Sequence, residues 1–263
     1  MNDLILSFIL GIVQGLTEFL PVSSSAHLLF PSLILGSTDL GLAFDIAVHT
    51  GTLLAVILYF KSDLIKMMKS FFVNREELRA ERNLSYLLIL ATIPIVIFGF
   101  FASDLISSNR DNISSIAWMN IIFAGLLLLA YKINLKNKTL LQLTFLGAIF
   151  IGLFQVFALL PGASRSGTAI TAALFIGLNL KDASKFSFML AIPTILGALV
   201  FMIGDVIVTE SIINISALFI GFFTSSIFAF YTIKYFLAFV DKIGMYPFVV
   251  YRFWLGALLL LMV

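Results

Sequence analysis

Long apolar stretches alternate with short polar loops along most of the chain. Six of them are long enough to cross a bilayer, because a spanning helix needs roughly 20 apolar residues. They lie at about residues 43–60, 86–106, 116–134, 183–204, 212–233 and 246–263. The pattern therefore predicts an all-α integral membrane protein with six transmembrane helices.

Two further apolar regions, at about 4–36 and 141–179, are interrupted by proline, glycine and serine. The interruptions read Leu20-Pro21-Val22-Ser23-Ser24-Ser25 and Leu160-Pro161-Gly162-Ala163-Ser164-Arg165-Ser166. Broken backbone at membrane depth persists only where protein or a wet cavity satisfies its polar groups. We therefore expect two re-entrant helix pairs whose tips turn inside the protein.

The order of these segments predicts an internal repeat within a single membrane domain of residues 1–263. Each half, approximately 1–136 and 137–263, contains one re-entrant pair followed by three spans. Because the number of spans per half is odd, the second half must be inverted relative to the first. In such inverted-topology repeats the ligand site lies near the middle of the membrane, where the repeats meet. We expect the two polar tips to face each other there.

The distribution of basic residues tests this topology independently, since cytoplasmic loops are enriched in Lys and Arg. If both termini are outside, the cytoplasmic loops contain thirteen of these residues and the opposite side contains Arg110. The thirteen are Lys61, Lys66, Lys69, Arg75, Arg79, Arg82, Lys132, Lys136, Lys138, Lys181, Lys185, Lys234 and Lys242. The first re-entrant pair then enters from outside and the second from the cytoplasm.

Composition agrees with a membrane protein and excludes several kinds of site. Hydrophobic residues make up 61% of the chain and charged residues 11%, against about 25% charged in soluble domains. The net charge of +2 does not indicate a nucleic-acid partner, because the basic residues cluster in loops. With no cysteine, disulfides, thiolate metal sites and a cysteine nucleophile are excluded. No Lys or Arg precedes Lys61, so we expect the first apolar stretch to remain in the mature protein.

Three ionisable residues, Glu18, His27 and Arg165, lie within the broken segments. Ionisable groups inside a membrane are costly and mark functional sites by default. Gln14 lies four residues before Glu18, so both side chains share one helical face. The serines occupy the two turns, at Ser23, Ser24, Ser25, Ser164 and Ser166.

These turns favour an anionic ligand. A helix N-terminus presents unpaired N–H groups and a partial positive charge, and arginine can bind phosphate through two hydrogen bonds. Glu18 would repel such an anion unless it holds a hard divalent cation such as Mg²⁺ or Ca²⁺. A hydroxyl nucleophile, with His27 as general acid or base, would complete a site for phosphoryl transfer.

Two segments closely resemble the signature motifs of the BacA-type undecaprenyl-diphosphatase family. They are Gly11-Ile-Val-Gln-Gly-Leu-Thr-Glu-Phe-Leu-Pro-Val-Ser-Ser-Ser-Ala-His27 and Pro161-Gly-Ala-Ser-Arg-Ser-Gly167. Phe186-Ser-Phe-Met-Leu-Ala-Ile-Pro193 is also similar, and the resemblance covers the whole length of the chain. It implies a multi-pass enzyme of the bacterial plasma membrane, dependent on a divalent cation, with its active site facing outside. The implied reaction converts undecaprenyl diphosphate to undecaprenyl phosphate and inorganic phosphate, which recycles the lipid carrier for cell-wall synthesis.

The resemblance also assigns roles to individual residues. Glu18 and Gln14 match the family's (Glu/Gln)-x-x-x-Glu element and are the expected metal ligands, with Gln14 standing where some members have glutamate. Ser24 matches the proposed nucleophile or phosphate contact, His27 the essential histidine and Arg165 the phosphate-binding arginine. The expected phosphate contacts are Ser23, Ser25, Gly162, Ser164, Arg165 and Ser166. At positions 168–169 the chain has Thr168-Ala169, the reverse of a common order in the family.

Simpler interpretations remain open from the sequence. Glu18 can be a buried acid paired with Arg165, and the serines can only cap helices. His49, four residues after Asp45 in a predicted span, fits a satisfied interior histidine.

A flippase or transporter of polyprenyl-phosphate lipids would use the same inverted-repeat site and is the alternative function. A purely structural membrane subunit is disfavoured by the concentration of polar groups at both turns. The sequence leaves open a phosphoenzyme or direct attack by water, and a possible homodimer.

Overall fold

The computed structural model describes residues 3–28, 40–73, 75–102, 112–135, 138–208 and 214–262. Within these ranges the chain is almost entirely helical, and one isolated β-bridge joins Lys138 to Leu178. The residues at 29–36 of the first predicted re-entrant pair lie outside the described ranges, as does Arg110.

The α-helices follow one another with short connections. They are α1 (Asp3–Thr17), α2 (Ser24–Leu28), α3 (Leu42–Tyr59), α4 (Lys61–Phe72), α5 (Arg79–Phe101), α6 (Ile113–Ile133), α7 (Phe145–Gln155), α8 (Arg165–Phe175), α9 (Leu180–Val208), α10 (Ile215–Ile243) and α11 (Tyr246–Leu260). Short 3₁₀ turns occur at Glu76–Leu78, Leu140–Gln142 and Val156–Leu159.

Five helices are long and apolar enough to cross a membrane, among the residues that the structure describes. They are Leu42–Tyr59, Glu76–Phe101, Ile113–Ile133, Leu180–Val200 and Ile215–Ile243, and they correspond to five of the six predicted spans. The sixth predicted span, 246–263, contains the shorter α11 of 15 residues. The chain is therefore an all-helical integral membrane protein.

The surface and the interior have the polarity expected of a protein surrounded by lipid. Large apolar side chains such as Phe101, Phe223 and Trp254 are exposed. Polar side chains such as Asn120 and Arg252 are fully buried instead. Since lipid covers the apolar exterior, the polar groups gather inside the bundle, where they can serve one another or a ligand.

Small residues bring the helices close together. A Cβ on Gly51 of α3 would lie 2.3 Å from the carbonyl oxygen of Phe222 in α10, and one on Gly152 of α7 would lie 2.5 Å from that of Ala91 in α5. In lipid, where no hydrophobic effect drives helices together, this close approach increases the van der Waals contact that holds them. α7 leads into the second broken segment and α1 into the first, where a Cβ on Gly15 would lie 2.7 Å from the carbonyl oxygen of Ser225 in α10. This packing therefore sets the position of the turns.

Both predicted interruptions are breaks between helices. α1 ends at Thr17 and α2 begins at Ser24, while α7 ends at Gln155 and α8 begins at Arg165. Ser23 and Ser164, each directly before the second helix, have a positive φ of 69°. They are the non-glycine residues with positive φ in the described ranges. That backbone conformation is costly for a residue with a Cβ and is concentrated at functional sites, so the two turns are the first places to search for chemistry.

Candidate active site

The two turns meet at the carboxylate of Glu18, one residue beyond the end of α1. Arg165 Nη2 donates to Glu18 Oε1 at 2.8 Å, across 147 residues of sequence. Ser24 Oγ and Gln14 Nε2 donate to Glu18 Oε2 at 2.9 and 3.0 Å. Glu18 is buried, so this carboxylate is stabilised by three donors from both broken segments rather than by water.

Local structure explains how the first segment directs its side chains to this point. Gln14 lies one helical turn before Glu18, and the backbone N–H of Glu18 still bonds the carbonyl of Gln14 at 3.0 Å. The chain then reverses through Pro21 and Ser23, and Ser24 starts α2 with its hydroxyl directed back at Glu18. The hydrogen bond between Ser24 and Glu18, six positions apart in the sequence, thus joins the two ends of this turn.

Arg165 is held from three sides at the start of α8. Its Nη1 donates to the carbonyl of Ser187 in α9 at 3.3 Å, in addition to the bond to Glu18. The guanidinium carbon lies 5.7 Å from the centre of the Phe19 ring, close enough for a cation–π attraction. A rigid, mostly buried guanidinium at a helix N-terminus is well suited to bind a phosphate.

The second turn is built from serine and glycine. Ser164 caps α8 by accepting the backbone N–H of Gly167 at 3.2 Å, and its hydroxyl lies 3.3 Å from that of Ser166. Gly162 has a φ of 94°, and a Cβ there would lie 2.3 Å from the carbonyl oxygen of Ile116, so only glycine fits.

Ser166 also connects the two turns. Its hydroxyl donates to the carbonyl of Leu20 in the first turn at 2.9 Å. In the first turn, Ser23 and Ser25 form a similar hydroxyl contact at 3.1 Å. Ser166 was predicted to contact phosphate. In this structure its hydroxyl holds the second turn against the first.

His27 lies on α2 but faces another helix. Its Nδ1 is 2.7 Å from the carbonyl oxygen of Ser23, and its Nε2 is hydrogen-bonded to the hydroxyl of Tyr251 in α11. A carbonyl only accepts, so Nδ1 carries the proton of the Ser23 bond. The Ser24 hydroxyl donates its proton to Glu18 and not to His27. Glu18 is therefore the group placed to accept this proton.

The sequence interpretation missed the position of His49. Its Nδ1 does bond the carbonyl of Asp45 at 2.8 Å, as a satisfied interior histidine would. However, its Nε2 lies 3.9 Å from Glu18 Oε2, so α3 brings a second imidazole to the site. The signal was available, because an ionisable residue inside a predicted span is a functional hypothesis by default.

Tyr251 and Arg252 were missed as well. Arg252 is fully buried in α11, and its Nη2 donates to the carbonyls of Gly162 and Ala163 at 2.9 and 3.0 Å. Like His49, Arg252 is an ionisable residue inside a predicted span, which by default indicates a functional residue. Its partners are main-chain carbonyls, which sequence spacing does not reveal.

Oxygen donors at the site fit a hard divalent cation. Gln14 Oε1 is buried and has no hydrogen-bond partner among the described residues, and it belongs to the amide that bonds Glu18. The described residues contain no group of three or more His, Cys, Asp or Glu side chains that could hold a metal. This donor set suits Mg²⁺, which binds through one or two carboxylates and completes its shell with water and substrate phosphates.

Comparison with known proteins identifies close relatives. The family model described as bacitracin resistance protein BacA matches residues 7–258. An undecaprenyl-diphosphatase of Alcanivorax borkumensis is 45% identical over 256 residues, which covers 97% of each chain. An undecaprenyl-diphosphatase of Saccharophagus degradans is 43% identical over 256 residues, covering 97% of this chain and 96% of the relative.

Proposed function

This chain belongs to the BacA family, and from that premise we propose that it is an undecaprenyl-diphosphatase with the Glu18 cluster as its active site. It hydrolyses undecaprenyl diphosphate to undecaprenyl phosphate and inorganic phosphate, and both relatives are named undecaprenyl-diphosphatase. The lipid product is the carrier used again in cell-wall synthesis. The flippase alternative receives no support from these relatives.

One observation carries the site assignment: the Arg165–Glu18 contact of 2.8 Å brings the two serine-rich turns together. A lone ion pair would satisfy the simpler interpretation of two buried charges. Here, however, Ser24 and Gln14 bond the same carboxylate, and His49 lies 3.9 Å from it. In covalent catalysis the nucleophile lies within hydrogen-bond distance of a proton acceptor, and other groups orient that acceptor. Ser24 and Glu18 have this geometry.

The terminal phosphate of the substrate is bound by Arg165 at the N-terminus of α8. A phosphate with two charges competes with Glu18 for the guanidinium, and it also meets the unpaired N–H groups of the first turn of α8. The hydroxyls of Ser23, Ser25 and Ser164, with the backbone at Gly162, lie in the same two turns and complete the binding surface.

Ser24 is the proposed nucleophile. Its Oγ attacks the terminal phosphorus, the bond from that phosphorus to the bridging oxygen breaks, and undecaprenyl phosphate leaves. The Ser24 proton passes to Glu18, 2.9 Å away. Water then cleaves the phosphoserine and releases inorganic phosphate. His27, three residues after Ser24 and therefore on the same side of α2, is the proposed general acid or base for the leaving oxygen and the water.

Glu18 and Gln14 are the residues that would hold a divalent cation, Mg²⁺ or Ca²⁺. When bound there, the cation would offset charge on the phosphate oxygens during phosphoryl transfer. Gln14 Oε1, which has no hydrogen-bond partner among the described residues, and the Glu18 carboxylate would supply the protein ligands, and the substrate would supply others.

The proposed architecture is an inverted repeat of residues 1–136 and 137–263 with six spans and two re-entrant pairs. Corresponding contacts support it: α1 and α3 pack on α10, as α7 and α9 pack on α5. The two positive-φ serines precede corresponding helices, α2 and α8. With the basic loops in the cytoplasm, the first turn enters from outside, so the site opens to the outer face of the bacterial plasma membrane.

We expect purified protein in detergent to release inorganic phosphate from undecaprenyl diphosphate, and Ser24→Ala to reduce the rate at least about 100-fold. Detergent removes the two sides of the membrane, so a transporter would release none. Ser85→Ala is the matched control, because Ser85 is buried and, among the described residues, its hydroxyl donates to the carbonyl of Glu81 in α5 rather than to a group of the site. Phosphate is measured colorimetrically. Unchanged release in Ser24→Ala would exclude the hydroxyl as nucleophile.

Removal of divalent cations should stop the reaction. We expect a chelator to reduce phosphate release to background and Mg²⁺ or Ca²⁺ to restore it, because Gln14 and Glu18 leave oxygen ligands for a hard cation. Gln14→Leu, which removes the amide oxygen, should raise the Mg²⁺ concentration needed for half-maximal release. Full activity in chelator would remove the metal from the mechanism.

A further inference from the structure

Helix α11 reaches both turns through two adjacent residues. Tyr251 is hydrogen-bonded to His27 of the first segment, and Arg252 to the carbonyls of Gly162 and Ala163 in the second. Successive side chains on an α-helix point roughly 100° apart. The helix therefore lies between the two turns and contacts each with a different side chain.

The contact with Tyr251 determines the state of the His27 ring. Because Nδ1 donates to the carbonyl of Ser23, the Nε2 of neutral His27 has no proton and accepts from the Tyr251 hydroxyl. The two rings are nearly parallel, with centres 5.5 Å apart and planes 12° apart. Tyr251 and Ser23 together hold both the tautomer and the plane of the imidazole, as outer partners do for catalytic histidines.

The contact with Arg252 determines the shape of the second turn. Its two bonds hold the Gly162 and Ala163 carbonyls directly before Ser164, whose φ is 69°. A Cβ on Gly167 would lie 2.9 Å from Arg252 Nη1, so the guanidinium also packs against the first turn of α8. A strained turn persists only when its surroundings over-determine it, and Arg252 supplies that constraint.

Burying the Arg252 guanidinium costs free energy, and this cost indicates that Arg252 has a role beyond packing. Arg252 is fully buried, and its Nε and Nη1 have no partner among the described residues. An apolar residue of similar volume would avoid that cost. The guanidinium is kept where its only hydrogen bonds shape the turn that presents Arg165.

We infer that Tyr251 and Arg252 are positioning residues for the reaction, Tyr251 through His27 and Arg252 through the Gly162–Ala163 carbonyls. The inference rests on the proposed function, since it assumes that His27 and Arg165 act on the diphosphate. It adds that α11 aligns the two halves of the site from a distance, without contact between either residue and the substrate.

Kinetics of phosphate release test the inference. Tyr251→Phe should lower kcat about 10- to 100-fold with little change in KM, because binding by Arg165 is intact while His27 loses its fixed orientation. Arg252→Met should raise KM and lower kcat/KM by a similar factor, because the turn that carries Arg165 relaxes. Arg252→Lys should recover part of the loss, since an ammonium can still bond both carbonyls.

Controls separate positioning from stability. Tyr246→Phe removes the same hydroxyl from the exposed start of α11, and Arg79→Gln removes an exposed arginine; both should keep wild-type kcat and KM. Thermal unfolding of each variant is measured alongside. If Arg252→Met does not fold, the kinetics of Tyr251→Phe and its His27 signal still decide the question.

The tautomer of His27 gives a readout independent of activity. The chain has two histidines, so ¹⁵N spectra of labelled protein can be assigned with a His49→Gln variant. The wild type should show a proton on Nδ1 of His27, and Tyr251→Phe should show a mixture of tautomers. An inactive wild type would overturn the proposed function. An active wild type would overturn this inference alone if Tyr251→Phe keeps its kcat and His27 signal, or if a folded Arg252→Met keeps its KM.

Discussion

Replacing Glu18 with glutamine should lower kcat for phosphate release about 1,000-fold, while in the absence of divalent cations the diphosphate should bind at least as tightly as to the wild type. Glutamine has nearly the shape of glutamate, but its amide cannot take the proton of Ser24, which now lies 2.9 Å from the carboxylate. Without its negative charge, the side chain at position 18 also no longer competes with the substrate phosphates for Arg165. Steady-state kcat and the Kd for a non-hydrolysable diphosphate lipid are the two measurements.

The opposite signs of these effects make the Glu18 variant informative. If Glu18 were only a structural partner of Arg165, binding and turnover would fall together as the arginine lost its position. Glu77→Gln is the matched control, because Glu77 is an exposed acid in the Glu76–Leu78 turn. A Glu18→Gln enzyme within tenfold of the wild-type kcat would exclude the carboxylate as the proton acceptor.

Replacing Arg165 should have a comparably large effect, but on binding as well as on turnover. We expect Arg165→Ala to lower kcat/KM about 100- to 1,000-fold and to weaken diphosphate binding, because the group that forms two bonds with phosphate is lost. It also leaves Glu18 buried without its 2.8 Å partner, which costs about 3–5 kcal/mol of stability. Kinetics, the Kd and thermal unfolding are measured on the same preparation.

A double variant separates the catalytic role of Arg165 from its structural one. Glu18→Gln combined with Arg165→Met removes both buried charges, so much of the lost stability should return, whereas phosphate release should not. Recovery of both stability and activity in the double variant would mean that the pair is structural, as the simpler interpretation of the sequence held.

The membrane character and the two broken segments could be predicted from the sequence because both depend on local features. Apolar length indicates a span whatever its neighbours are, and five of the six predicted segments form helices of sufficient length in the described residues. Pro94 and Pro193 lie inside α5 and α9, so proline alone does not end a helix here. The breaks at Pro21 and Pro161 are found where expected because serine or glycine accompanies proline there. The lengths of α1, α7 and α11 were harder to predict, because packing rather than hydropathy decides where a short helix ends.

The contact between Glu18 and Arg165 could be predicted only through the repeat. Each residue is recognisable in the sequence as an ionisable group in an apolar region, and the predicted inverted repeat implied that their turns face each other. The direction of each hydrogen bond did not follow. Sequence spacing suggested His27 as the partner of a serine, yet the Ser24 proton points at Glu18 and His27 is bonded to Tyr251.

By itself, the sequence determined that this is a helical membrane protein with two polar turns, and its motifs identified the family, because these features are carried by residues close together in the chain. Only the tertiary structure decided which groups meet. It brought His49 to Glu18, and it placed Tyr251 in contact with the first turn and Arg252 in contact with the second. Such contacts join residues up to 224 positions apart, and they depend on how whole helices pack, which no local pattern encodes.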